Sequence, residues 1–248
     1  MPLLVAANRD EFLARRSEGP ALWRTPGGVA VVAPRDARGG GTWLGINSRG
    51  LFAALTNVAG EEPDPQRRSR GLLVLDALEA GSAEQAADLA QSAASGRYNP
   101  FNLFVADARE AWGVSCRGDA RSLRLEPGAH VVGNTPLDAP PTPKVAQLRE
   151  RAERLVGAAL PAALAELAAL CRGHREGDPF ASACVHTERY GTRSSALLAI
   201  ADGEGESVFR FADGAPCRNE YEDFTPLLHQ LSRGSRLGEG ESLARELS

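Results

Sequence analysis

At 248 residues and 43 % hydrophobic content, the chain carries enough apolar side chain for one packed domain, and nothing in it reads as a linker between two cores. A formal charge of −4 gives no pull toward nucleic acid or anionic lipid, so neither partner is expected. Lys144 is the only lysine, which removes any Gly-Lys-Ser/Thr phosphate loop, and no apolar run approaches the ~20 residues of a transmembrane segment.

In chain order, Pro2–Val5 reads as a short buried strand that delivers Asn8, Arg9, Asp10 and Glu11 in a row. On an extended backbone Arg9 and Glu11 share one side and Asn8 and Asp10 the other. Trp23, between Pro20 and Pro26, is expected in a loop. Val29–Ala33 is a short β-rich run closed by Pro34. Thr42–Ile46 and Leu51–Thr56 form a hairpin across Asn47-Ser48-Arg49-Gly50. The proline-rich stretch Glu61–Arg68 is an exposed loop. Helical patterns run from Ser69 to about Glu79, then from a Ser82/Gln85 capping box to about Ala94.

Strands return at Phe101–Ala106 and Ala111–Cys116, with two shorter ones at Leu123–Leu125 and His130–Val132. Thr142-Pro143 opens a helix to about Ala159 with Val145, Leu148 and Leu155 inward, and a second covers Ala162–Leu170. Cys184–Glu188 reads as a strand, and Ser195–Ala201 with Ser207–Phe211 as a hairpin. Beyond Leu231 the composition is that of a disordered tail, leaving a domain of residues 1–231 and a tail of 232–248. Strands and helices in blocks, joined by hairpins, predict an α+β fold with antiparallel sheets.

Cys116, Cys171, Cys184 and Cys217 are widely spaced with no Cys-x-x-Cys pair, so no zinc site of the usual spacing is expected. Cys184-Val185-His186-Thr187-Glu188 invites a metal reading, but alternate strand positions fit it equally well, and one His beside one Cys is more often structural. Free cysteines and the lack of a signal-like N-terminal run place the protein in the cytoplasm. Arginine and alanine richness suits a GC-rich bacterial genome. No cofactor is called for.

Asn8-Arg9-Asp10-Glu11-Phe12 after a short apolar strand resembles the signature of the NRDE-domain family, which includes the transport and Golgi organisation 2 homologues. Gly40-Gly41-Thr42-Trp43-Leu44-Gly45, Ala53-Ala54-Leu55-Thr56-Asn57, Ser69-Arg70-Gly71, Asn102-Leu103, Gly133-Asn134 with Leu137-Asp138, and Tyr190-Gly191-Thr192-Arg193-Ser194-Ser195 are similar to it in the same order. The family resembles the N-terminal-nucleophile hydrolases of the choloylglycine hydrolase and penicillin V acylase branch. That implies a four-layer αββα sandwich of two antiparallel sheets. It also implies a processed N-terminal cysteine serving as thiol nucleophile and amine base. On this resemblance Arg9 favours the thiolate, Asp10 orients the amine, Asn57 and Asn134 stabilise the oxyanion, and Arg193 lines the same cleft.

Relatives begin Met-Cys, then a strand and turn before the Asn-Arg-Asp-Glu strand. This chain begins Met1-Pro2-Leu3-Leu4, already inside that second strand, so the nucleophile and its strand are missing from it. An upstream start is one explanation and a truncated, inert homologue the other. Pro2 as an N-terminal amine base is a minor third. Two functions follow from the resemblance: cleavage of a small-molecule amide, or non-catalytic carriage of haem, acyl-CoA or lipid. His130 and His186 are the histidines available as axial haem ligands.

Overall fold

A computed structural model describes residues 3–93, 96–201 and 206–233. Its strands are β1 (Leu3–Phe12), β2 (Ser17–Arg24), β3 (Ala30–Asp36), β4 (Leu44–Asn47), β5 (Phe52–Asn57), β6 (Phe101–Ala106), β7 (Ala111–Arg117), β8 (Asp119–Leu125), β9 (Tyr190–Ile200), β10 (Val208–Asp213) and β11 (Glu222–Asp223). The helices are α1 (Arg70–Glu79), α2 (Ala83–Ala93), α3 (Pro143–Glu153), α4 (Leu160–Cys171) and α5 (225–233), with a 3-10 turn at Pro179–Ala181. The fold is α+β with two antiparallel sheets.

Strands β2 to β8 pair in chain order as a seven-stranded meander, each step a hairpin or a short excursion through helices. The second sheet has the order β1-β9-β10-β11 and joins the start of the chain to its last third. Alternation along the strands decides which face meets what. Val32, Leu44, Ile46 and Phe52 of the large sheet pack against Ala196, Leu198, Phe209 and Phe211 of the small one, with Leu3, Val5 and Ala7 at the margin. Val31, Ala33, Leu51 and Ala53, on the other face, are covered by α1 and α2. Leu164 and Ala168 of α4 cover Leu197, with Leu4 and Ala6 beside them.

Several expectations are corrected by this packing. Trp23 lies in β2, its indole donating to the Ala33 carbonyl at 3.0 Å; Pro20 is within that strand and Pro26 just beyond its end. β3 continues through Pro34 to Asp36, beside the irregular register of β2 between Glu18 and Ala21. His130–Val132 is irregular: the His130 ring bonds the Glu126 carbonyl at 2.7 Å instead of joining a sheet. Cys184–Glu188 is likewise no strand, apart from one bridge between His186 and Gly191. α3 stops at Glu153 with no residue fully buried, so Val145 and Leu148 are half-covered and Leu155 lies past its end. The end of the described chain is helical through 233, its Leu228 and Leu231 packed into the inter-sheet core. The remainder of the expected tail, and the turn expected at Asp202–Gly205, lie outside the described residues.

Candidate functional site

β1 runs straight through the Asn-Arg-Asp-Glu motif, paired only with β9 among the described residues. The predicted alternation holds. The Asn8 amide turns toward α4 and donates to the carbonyls of Cys171 and Ala183, both at 2.9 Å. Arg9 turns the other way, its guanidinium 4.4 Å from the Trp43 ring centre. The register slips between Arg9, opposite Ser194, and Asp10, opposite Thr192, so Arg193 is the extra residue of a bulge. Asp10 then accepts a hydrogen bond from the Thr192 hydroxyl at 2.6 Å, and that hydroxyl accepts from the Val185 amide at 2.8 Å. The Tyr190 hydroxyl donates to the Asp10 carbonyl at 3.0 Å. Burial, with the Asp10 and Glu11 charges nearby, pushes this phenol up to about 12, so it remains a donor at neutral pH.

Arg9 is buried, at 8 % exposure, yet makes no ion pair among the described residues. The nearest carboxylates are already engaged. Arg15 bonds Glu11 at 3.1 Å and forks onto Asp36. Burial pushes the Asp36 carboxyl up, but Arg15 and the amides of Arg38 and Gly39 outweigh it and hold the group below its ordinary value. Burial also lowers Arg9 itself, against the opposing pull of Glu11 and Asp36 and with the help of the Arg15 and Arg193 charges. Arg70, first residue of α1, is a further cation lowered by burial; it donates to the Pro100 carbonyl at 2.8 Å and lies within electrostatic range of Glu11, Arg15 and Tyr190.

Of the five buried side-chain polar atoms without a hydrogen-bond partner among the described residues, four belong to Asn8, Arg9, Arg193 and Ser194, all at this bulge. Buried polar groups are normally satisfied, so this concentration sets the bulge apart from the rest of the described structure.

Two glycine motifs turn out to be one contact. A Cβ on Gly41 would lie 2.2 Å from the Gly71 carbonyl carbon, and the Thr42 amide bonds the Gly71 carbonyl at 3.1 Å. The Gly40-Gly41-Thr42-Trp43 loop is thereby locked onto the first turn of α1, which begins at Arg70, and Trp43 is seated under Arg9. The places of Trp43, Arg70, Tyr190 and Thr192 around this bulge do not show in the sequence, although each lies inside one of the motifs.

Asn57 ends β5, and the side-chain amide of Asn134 donates to its backbone carbonyl at 2.9 Å, while the Ala59 amide returns a bond to the Asn134 carbonyl at 2.8 Å. Thr56 and Asn102 hold the Gly133 carbonyl from the adjoining strand ends. The five candidate residues therefore fall into two groups: Arg9, Asp10 and Arg193 at the β1–β9 bulge, and Asn57 with Asn134 at the end of the large sheet. Arg9 on Trp43 is the bridge between sheets, because the Trp43 carbonyl pairs with Leu55 two residues before Asn57. A concavity of about 500 Å³ lined by Trp23, Arg24, Gly28, Ser48 and Arg49 contains none of the five.

Asp10 supplies a test of this geometry. Burial raises its carboxyl above the ordinary value, opposed by the Thr192 hydrogen bond and the Lys144 and His186 charges. A raised folded pKa means the folded state holds the proton more tightly than the unfolded chain. Its destabilising effect is absent below the unfolded value of about 3.9 and complete above the raised folded value. Asp10→Asn keeps an acceptor for Thr192 and is expected to melt higher than the parent at pH 7, with the gap closing as pH falls below about 4. Denaturation at several pH values checks this; a variant less stable at pH 7 would sink it.

A family model described as Transport and Golgi organisation 2 matches residues 1–210. A Homo sapiens protein described as Transport and Golgi organization protein 2 homolog is 31 % identical over 235 residues, 84 % of each chain. Among solved structures, penicillin V acylase from Agrobacterium tumefaciens aligns with a TM-score of 0.50 at 13 % identity, over 91 % of this chain and 84 % of that one. A conjugated bile acid hydrolase variant from Clostridium perfringens aligns at 0.52 and 11 % identity, over 89 % and 92 %. At such identities the likeness is one of fold, that of the N-terminal-nucleophile hydrolases.

Proposed function

The chain belongs to the Transport and Golgi organisation 2 family, and from that premise we propose that its site is built for cleaving a small-molecule amide. In this reading the helix and sheet packing is a four-layer αββα sandwich, and the open edge of β1 takes a strand from upstream of Leu3 whose processed N-terminal cysteine reaches Arg9. Arg9 favours the thiolate. The α-amine, oriented by Asp10, takes the thiol proton and later passes it to the leaving amine. Amides of Asn57 and Asn134 receive the negative charge as the thiolate adds to the carbonyl carbon, and water then releases the acyl group. The Asn134 amide nitrogen, already donating once to Asn57, retains a second N–H for this. Arg193 adds positive charge at the same place.

One observation carries the reading. A buried arginine lacks an ion-pair partner on a strand whose second edge is unpaired among the described residues, and Leu3 to Asn8 beside it are all only half-covered. A buried unpaired charge is expensive, so it persists where something else completes it.

A second reading, a non-catalytic carrier of haem, acyl-CoA or lipid, is favoured by the positions of the cysteines. Cys116 sits on β7. The Cys171 thiol is pushed up by burial, away from the thiolate, and Cys184 and Cys217 lie side by side elsewhere. His130 is exposed and bonded to a carbonyl, which disfavours it as a haem ligand.

The deciding experiment is the intact mass and N-terminal sequence of protein from its native source, followed by a panel of small amides before and after thiol alkylation. Processing to an N-terminal cysteine, with turnover lost on alkylation, is expected. A mature start at Met1 or Pro2 without turnover rejects the hydrolase and turns the question to ligand binding.

A further inference from the structure

Behind Asp10 the fold assembles a donor set of which the sequence shows only the Cys184 and His186 pair. His174 lies in the loop after α4, Cys184 and His186 in the lead-in to β9, and Cys217 in the connection from β10 to β11. Their ligating atoms all fall within 4.8 Å of one another. The Cys184 and Cys217 sulfurs are 3.6 Å apart, Cys184 Sγ is 3.6 Å from His186 Nε2, and His186 Nε2 is 3.1 Å from Cys217 Sγ. The His174 and His186 ring centres are 5.2 Å apart.

These are the dimensions of a metal tetrahedron. With zinc bonds of about 2.3 Å to sulfur and 2.0–2.1 Å to nitrogen, the edges of a regular site are roughly 3.8 Å between sulfurs, 3.5 Å between sulfur and nitrogen, and 3.3 Å between nitrogens. Three corners are in place, and His174, on the exposed side, needs only a small swing to supply the fourth.

We infer that His174, Cys184, His186 and Cys217 form a structural zinc site. Two thiolates and two imidazoles in a tetrahedron select zinc over the harder divalent ions, and four protein ligands leave no position for a reacting water. Binding releases the two thiol protons to solvent.

The surroundings hold these corners before the metal arrives. Arg172 Nε donates to the Pro216 carbonyl at 2.9 Å, and the Asn219 amide donates to the Ala215 carbonyl at 2.9 Å, fixing the turn that presents Cys217. Gly214, at a φ of 125°, lets the Asn219 side chain occupy the space where a Cβ would lie. The Cys184 amide donates to the Gly173 carbonyl at 3.0 Å, next to His174. The site therefore staples three chain segments together. Because the Val185 amide bonds Thr192, which bonds Asp10, the metal braces the β1–β9 bulge from behind. The expectation of no zinc site followed from spacing along the chain, and the fold brings together ligands from three separate segments.

The test uses the untagged full chain purified under reducing conditions. Elemental analysis is expected to find stoichiometric zinc. After zinc removal, cobalt is expected to restore one equivalent with the intense visible absorption of tetrahedral two-thiolate coordination. Cys217→Ser should bind cobalt at least about 100-fold more weakly, beyond the ~10–100-fold that loss of an outer-sphere partner costs. Because Cys184 is buried and its variant could fail to fold, the cobalt spectrum of the unaltered protein decides by itself. A folded, reduced protein with neither zinc nor tetrahedral cobalt absorption overturns the site. So does recovery of Cys184 and Cys217 as a disulfide, read from a mass two hydrogens lower. None of these readouts depends on amide cleavage.

Discussion

Replacing Arg9 by methionine is expected to leave the protein folded and to melt it at a higher temperature, while removing amide turnover. Met fills most of the space over Trp43 and deletes a guanidinium that is 8 % exposed without an ion pair. Two opposing effects set the sign. The stack on Trp43 contributes about 0.5–2 kcal/mol and is lost. The desolvation of an unpaired buried charge runs to several kcal/mol and is relieved. The balance favours the variant by about 1 kcal/mol or more.

Function moves the opposite way. A hydrogen bond to a charged group is worth about 1.5–3 kcal/mol, so losing this contact to the thiolate should lower kcat/KM by roughly 10–150-fold. Arg9→Lys separates charge from shape: it keeps the cation but not the planar fork, and an intermediate rate is expected. Turnover of native-source protein and urea denaturation measure the two halves. A variant destabilised by more than about 2 kcal/mol with turnover intact would make Arg9 a structural residue, since that is the pattern of a broken buried contact.

Such stability–function opposition was partly visible in the sequence. Phe101–Ala106 and the hairpin about Asn47–Gly50 were legible because their apolar periodicity and turn residues are local properties, and the strands fall where that pattern puts them. The faces of β1 were legible for the same reason, with Arg9 toward Trp43 and Asp10 toward Thr192. What failed was structure decided by distant partners. Pro34 reads as a strand end, yet it lies within β3 because the pairing of β2 is irregular beside it. Cys184–Glu188 alternates like a strand, yet the Cys184 and Val185 amides bond Gly173 and Thr192, which no local pattern records, and Thr187 turns back on Tyr190. Arg193 could be placed near Arg9 only through resemblance, because the bulge that aims it arises from the register of two strands from opposite ends of the chain. The engagement of Glu11 and Asp36 by Arg15, which is what leaves Arg9 unpaired, is likewise a fact of packing.

The glycine loop offers the second large effect, and within it two neighbouring glycines should behave differently. Gly40 has a φ of 69° and nothing within 4 Å of a built Cβ, so Gly40→Ala incurs backbone strain alone, about 1–2 kcal/mol. Gly41 has an ordinary φ but no room. Its Cβ would meet the Gly71 carbonyl carbon at 2.2 Å, the Gly71 oxygen at 2.4 Å and the Leu72 amide at 2.6 Å. All three are backbone atoms, so no side-chain rotation relieves the overlap, and either the loop or the first turn of α1 must withdraw. Overpacking costs typically 1–3 kcal/mol, and backbone against backbone belongs at the top of that range, about 3 kcal/mol. For a chain of this size that is a fall in Tm of roughly 6–12 °C, against roughly 2–8 °C for Gly40→Ala. Withdrawal also lifts Trp43 from beneath Arg9 and shifts Arg70, so Gly41→Ala should lose turnover at temperatures where it is still folded, whereas Gly40→Ala should keep it. Paired melts and rates decide the matter. If Gly40→Ala proved the more damaging, the demand of this motif would be for a left-handed turn, and the contact between loop and helix would no longer explain why Trp43 sits where it does.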